Sequence, residues 1–256
     1  MQPQGQISPD GRFLWNGTQW VPYQAPAAAP SAAPWARPFE SAGLRANLLT
    51  ICLAANAAAL VIGAAFDVTD INYFQQGSPS SGALAIADGV LALVYLLAYY
   101  GTFIPSVVFF AMWVHRSVRN MPALGSWDAR WSPSGAVWRC FIPIFNLVHP
   151  LRSAIDAWKA SDPTGRWLTL PARNAIATPA IFGLWWAVWL IGGVLSRLAF
   201  RLSTAADTGT QVAGATLDLV STIPLLASAV LAIMVVRQLT QRQDQKTALI
   251  ASGRLV

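Results

Sequence analysis

The sequence predicts an all-α membrane protein: four transmembrane helices, a cytoplasmic interfacial or re-entrant amphipathic segment, and a small N-terminal β-hairpin. Three observations lead there. Of 256 residues, 55% are hydrophobic and only 11% charged, whereas a soluble domain carries about a quarter charged residues. Four uncharged apolar runs each approach or exceed the ~20 residues a helix needs to cross about 30 Å of hydrocarbon. Basic residues gather on one side of those runs, the side that membrane insertion keeps in the cytoplasm.

In chain order, residues 1–22 come first. Ser8-Pro9-Asp10-Gly11 is a turn, and 12–15 and 18–21 flank Asn16-Gly17, a pair suited to a two-residue hairpin loop. In that register Phe13 faces Trp20, Trp15 faces Thr18, and Phe13, Trp15 and Trp20 share one face. An isolated hairpin is marginal in water, so this face is expected either to pack as a tether on its own membrane domain or to dock another protein. Residues 23–40, rich in Ala and Pro, read as a linker. Residues 1–40 offer neither a basic start nor a short apolar stretch directly after one, so the first helix is expected to act as an uncleaved anchor.

The membrane domain is placed at 41–240, with spans at about 46–66, 89–114, 174–196 and 214–236, and 241–256 is read as a cytoplasmic tail. Pro105 is positioned to kink the second span. Arg37 and Arg45 precede the first span, eight basic residues from Arg116 to Arg173 fill the central loop, and Arg237, Arg242, Lys246 and Arg254 follow the fourth. Only Arg197 and Arg201 fall opposite, where the first external loop carries Asp67 and Asp70. Both termini are therefore expected in the cytoplasm.

The central loop holds an interfacial segment at 131–161. Residues 136–148 are apolar but interrupted by Arg139 and Pro143 and too short to span, so they either lie on the surface or dip in and return. At membrane depth the backbone around Pro143 needs an internal hydrogen-bond partner, for which Asn146 is suited. Pro150 can open a helix with Leu151, Ala154, Ile155 and Trp158 on one face and Arg152, Asp156 and Lys159 on the other. That pattern reads as an interfacial amphipathic helix, Trp158 at headgroup level and cations toward anionic lipid.

The run Arg116, Asn120, Leu124-Gly125, Pro133, Phe141-Ile142-Pro143, Asn146-Leu147, Pro150 and Trp158 resembles the motif of an uncharacterised bacterial membrane family, domain of unknown function 4328, over about residues 45–240. Cys140 stands where that family's pattern has an aromatic residue. The Trp15-Asn16-Gly17-Thr18-Gln19-Trp20 stretch is similar to a short Trp-containing element found ahead of such domains. The resemblance implies the fold, a bacterial inner-membrane location and an important central loop; it implies no activity.

Chemistry-bearing groups are few. Asp88, Tyr95, Tyr99, Thr102 and Ser106 follow one another at 7, 4, 3 and 4 residues, which keeps them on one helical face. Asn56 and Asp218, with Ser221, Thr222 and Ser228, could face them. Two readings are open: a polar pathway for a small channel or transporter, or interhelical hydrogen bonds worth about 0.6–2 kcal/mol each. Cys140 and His149 share the central loop, yet no third residue orients them as nucleophile and base. Two distant histidines make no zinc site, and no phosphate-binding Gly loop occurs. The expectation is a non-enzymatic scaffold or interaction protein of unknown role. It would use no cofactor or metal, bind no nucleic acid, contact the bilayer and its anionic headgroups, and engage a protein partner through the hairpin if any. Oligomeric state is left open.

Overall fold

The computed structural model describes residues 8, 13–15, 17–22, 34–76, 83–127, 129–166 and 170–255. Its helices in chain order are α1 (Gly43–Gln76), α2 (Ala83–Arg119), α3 (Pro133–Arg139), α4 (Pro143–Asn146), α5 (His149–Ala160), α6 (Leu170–Ala175), α7 (Ala180–Ser203) and α8 (Thr208–Ala251). Among the described residues α1, α2, α7 and α8 are long and apolar enough to cross a membrane, so the four-span expectation holds.

The fold class is corrected in one respect: the fold is all-α, and the expected β-hairpin is not supported as a component of it. Trp35–Val256 is one compact unit of the chain and Met1–Pro34 another. Within the latter, the backbone pairing is limited to Phe13–Trp15 against Trp20–Pro22, three residues a side. The register is also not the expected one. Trp15 lies opposite Trp20 and Phe13 opposite Pro22, so the connection is four residues long, with Gly17 taking the positive φ of 98°. Setting two tryptophans opposite each other is a stronger cross-strand pair than Trp15 with Thr18. The side chains of Phe13 and Trp20 lie outside the described set, so the aromatic face of Phe13, Trp15 and Trp20 stays an expectation.

In the second unit α8 packs on α7 and α1, and α1 on α2. The third span starts later than 174 because α6 ends at Ala175 and Pro179 forces a break; the residue before a proline disfavours helix. α2 runs on through Pro105. Beside the donor that proline lacks, the Thr102 hydroxyl donates to Ala98 O and Tyr99 O, and the Ser106 hydroxyl to Thr102 O.

Most of the supposed tail is the last quarter of one 44-residue helix. At 1.5 Å per residue it measures about 66 Å, twice what hydrocarbon requires. It stays helical beyond Val236 because its buried face continues at spacings of 3 and 4: Leu239, Thr240, Gln243 and Lys246 are all buried. Close approach marks the α7–α8 crossing. A methyl group added at Gly192 would sit 2.8 Å from Leu225, and one at Gly214 would sit 2.6 Å from Ser203 N. Gly183, by contrast, faces open space.

The core sits at one end of the bundle, hereafter the basic end. One cluster joins Leu49, Trp113, Val118, Met121, Ala157 and Leu239; a second joins Ala154, Phe182, Trp185, Trp186 and Val235. α5 links them, packing against α2, α3, α7 and α8.

Candidate functional site

Two sets of polar ties hold the basic end together. The first starts at Asn120, in the turn that follows α2. Its Nδ2 donates to Glu40 O at 2.8 Å and to Gln243 Oε1 at 3.4 Å, while Glu40 N donates to its Oδ1 at 3.3 Å. Gln243 Nε2 donates to Ser117 O at 3.0 Å, and Trp113 Nε1 to Thr240 Oγ1 at 3.0 Å. Arg116 forms an ion pair with Glu40. The start of α1, the end of α2 and the extension of α8 are thus clasped at one point. Buried amides are expensive to leave unpaired, so the segment before α1 and the end of α8 are constrained together.

The second set joins α5 to α8. Arg242 pairs with Asp162 and lies 4.1 Å over the Trp158 ring. Lys246 Nζ donates to Ala160 O at 2.9 Å, and Thr164 N donates to Asp162 Oδ1 at 2.9 Å. Burial pushes the Asp162 carboxyl up, but the hydrogen bonds from Thr164 and the charges of Arg242 and Lys246 outweigh it and hold it below the ordinary carboxylate range. Trp158 is not splayed into headgroups as expected. Its Nε1 donates to Ala177 O at 3.2 Å and its ring meets Phe182 edge-on at 5.3 Å. The inward face of α5 is the small one, Ser153, Ala154, Ala157 and Ala160, because only small residues admit a helix this close to four others.

Between these ties the chain makes its most unusual excursion. Ser132 caps α3, its hydroxyl accepting from Gly135 N at 3.1 Å. Pro143 opens α4, and Pro150 lies buried in the first turn of α5. From Trp138 to Val148 the apolar side chains point outward: Ile144 is 81% and Phe141 52% exposed. Trp186 of α7 donates its indole N–H to Leu147 O at 2.7 Å. Trp186 lies six residues, about 9 Å, inside α7, which puts Leu147 below the helix end. Trp186, rather than Asn146, is thus the side chain that bonds this backbone from outside; Asn146 is half-buried, its N–H bonded to Ile142 O at 2.7 Å.

Arg139 stacks 3.6 Å over Trp131, whose edge meets His149 at 5.9 Å. His149 bonds the Ser153 hydroxyl at 3.2 Å. Burial, then the charge of Arg139, lower its pKa against a backbone bond at Ala136, so it is neutral at pH 7. The Cys140 thiol donates to Ala136 O at 3.3 Å, and burial pushes it up to about 11. Neither group is arranged to activate the other. Among the described residues no group of three or more His, Cys, Asp or Glu could hold a metal ion.

Residues 75–241, more than half the chain, match the profile of the family described as Domain of unknown function (DUF4328). The chain belongs to this family. No curated protein and no solved structure matches it. The DUF4328 match begins at the end of α1 and stops before Gln243. Asn120, inside it, is therefore bonded to Glu40 and Gln243, both outside it.

The residues that carried the resemblance in the sequence fall mainly on the basic end. Arg116 and Asn120 build the clasp, and Gly125 takes a φ of 92° to turn the chain out of α2 while Leu124 plugs the core. Phe141, Pro143, Asn146 and Pro150 shape the excursion, and Trp158 the α5–α8 tie. The intrabundle residues bond several partners, with Asp218 close enough to act electrostatically on Tyr95 and Tyr99. Asn56 Nδ2 donates to Thr102 Oγ1 at 3.1 Å and Tyr99 O at 3.4 Å. The Tyr95 ring lies over Gly63 and 5.6 Å from Phe66. Asp218 accepts from Ser196 and Ser221, each at 3.1 Å, toward α7. Asp88 lies on α2 with its side chain outside the described set. Sequence reading missed Glu40, Asp162, Arg242, Gln243 and Lys246. For the last two the signal existed: the 3–4 periodicity of α8 runs on past Leu239.

Proposed function

We propose that this protein is a non-enzymatic scaffold of a bacterial inner membrane, with both ends of the membrane domain in the cytoplasm and residues 131–161 as its working face. One observation carries the reading: the best-packed core, both polar ties and the exposed Trp138–Val148 ridge all gather at a single end of the bundle. Side chains spent on rigidity there, with reactive groups quenched, suit a platform better than a catalyst or a pore. Arg37, Arg45, Arg116, Arg119, Arg152, Lys159, Arg237 and Arg242 share that end, which supports its cytoplasmic placement. The channel alternative draws little from the polar stripe, since Asn56, Thr102, Ser106 and Asp218 are engaged within the bundle.

A phosphatase reporter fused at residue 75 is expected to be active and one at the C-terminus inactive; the reverse pattern overturns the orientation. Photo-cross-linkers at positions 130 and 152 are expected to capture a reproducible protein adduct in cells. Solute flux through vesicles holding the purified protein, with no such adduct, would replace the scaffold by the channel.

A further inference from the structure

At the rim of the basic end, α1, α2 and α3 enclose an open groove of about 380 Å³ lined by Arg45, Ala111, Met112, His115, Val137 and Trp138. Its two halves differ in chemistry. Arg45, with the His115 imidazole beside it as a hydrogen-bonding group, forms a polar head, and Ala111, Met112, Val137 and Trp138 an apolar wall. Arg116 and Arg119 stand close enough to act electrostatically on Arg45 and His115. Glu40 offsets one charge through its ion pair with Arg116, leaving the head net positive.

Depth is fixed by the helices themselves. Arg45 is the residue before the uncharged run 46–66, and His115 follows the run 89–114. The groove therefore straddles the level where hydrocarbon gives way to headgroups, with Trp138, 71% exposed, at the depth where amphipathic aromatic rings settle.

We propose that this groove is a binding site for one anionic phospholipid, its phosphate held by Arg45 and His115 and one acyl chain laid along Met112, Val137 and Trp138. Charge complementarity selects the headgroup, and the apolar wall selects a lipid over a free phosphate ion. Basic pockets between helices on one side of a bilayer bind such headgroups. The proposal needs only that these helices span a membrane; it does not depend on the scaffold reading, and either can fail alone.

The test is native mass spectrometry of the full chain released from nanodiscs of equimolar phosphatidylglycerol and phosphatidylcholine. One retained phosphatidylglycerol is expected per chain. Arg45→Gln with His115→Gln should reduce retention at least about fivefold, the effect of removing the one arginine charge, while Arg45→Lys should largely keep it. Arg197→Gln with Arg201→Gln, at the opposite end, should leave it unchanged. Trp138→Ala, an exposed site that tolerates truncation, should weaken the lipid without altering the headgroup preference. Equal retention of both lipids, unchanged retention in the Arg45/His115 variant, or displacement by millimolar inorganic phosphate alone would each overturn the proposal.

Discussion

At the scale of single residues, Asn120 does the work of a joint. Its amide serves three partners from two other parts of the chain, and truncation strands all of them. Asn120→Ala is expected to cost about 2–3 kcal/mol, read as a loss of thermal stability in detergent. Combined with Gln243→Ala, the two losses should overlap by more than about 0.5 kcal/mol; strict additivity would show that the clasp is not one unit. Asp162 makes a pH-dependent claim. Its folded pKa lies below the unfolded value of about 3.9, so the unfolded chain binds the proton more readily. The stabilisation is complete above that value and is lost as pH falls through the lower folded pKa. Unfolding scans between pH 5 and 2 should therefore show a decline that Asp162→Asn makes shallower; parallel profiles would disprove the assignment. Motif matching pointed to Asn120 itself. Its partners escaped notice because Glu40 and Gln243 lie 80 and 123 residues away, a separation no local pattern spans.

At the scale of elements, legibility followed apolar content. The four crossing helices could be read because lipid imposes a long uncharged run on each. Their ends could not, because beyond the bilayer the helix is held by tertiary contacts. The extension of α8 contains Arg237, Arg242, Asp244 and Lys246, and such density reads as a solvated tail until partners for Gln243 and Lys246 are known. The amphipathic helix was recognised, and its Leu151, Ala154, Ile155 and Trp158 do meet the core; the burial of Ser153, Ala157 and Ala160 was not foreseen. Ser153, Ala154, Ala157 and Ala160 are weakly apolar, yet they are the ones buried, since closeness rather than hydrophobicity selects them. The same logic applies at the α7–α8 crossing. Backbone atoms of Ser203 and Ala199 lie 2.6 and 3.0 Å from where a Cβ on Gly214 would be, and neither can swing aside. Gly214→Ala should cost about 1–3 kcal/mol, seen as a lowered melting point, whereas Gly183→Ala, which meets open space, should be neutral.

At the scale of the membrane domain, packing is uneven. In the hydrophobic window of α8 39% is buried, in that of α2 only 6%, so α2 offers most of its circumference to lipid. Solidity increases toward the basic end, where α3, α4 and α5 add bulk that the opposite end lacks. The bond from Trp186 to Leu147 has a mechanical consequence. It ties the excursion to a fixed height on α7, so that an excursion entering the bilayer would add cross-section to one leaflet only and could not ride up or down with the lipid. A molecule broader on one side than the other fits a bent bilayer better than a flat one. Reconstituted at low density, it should concentrate in membrane tubes of small radius drawn from giant vesicles, and Trp186→Phe, which keeps the ring but loses the N–H, should even out that distribution. Equal sorting by both forms would mean that the anchored height carries no shape information to the surrounding lipid.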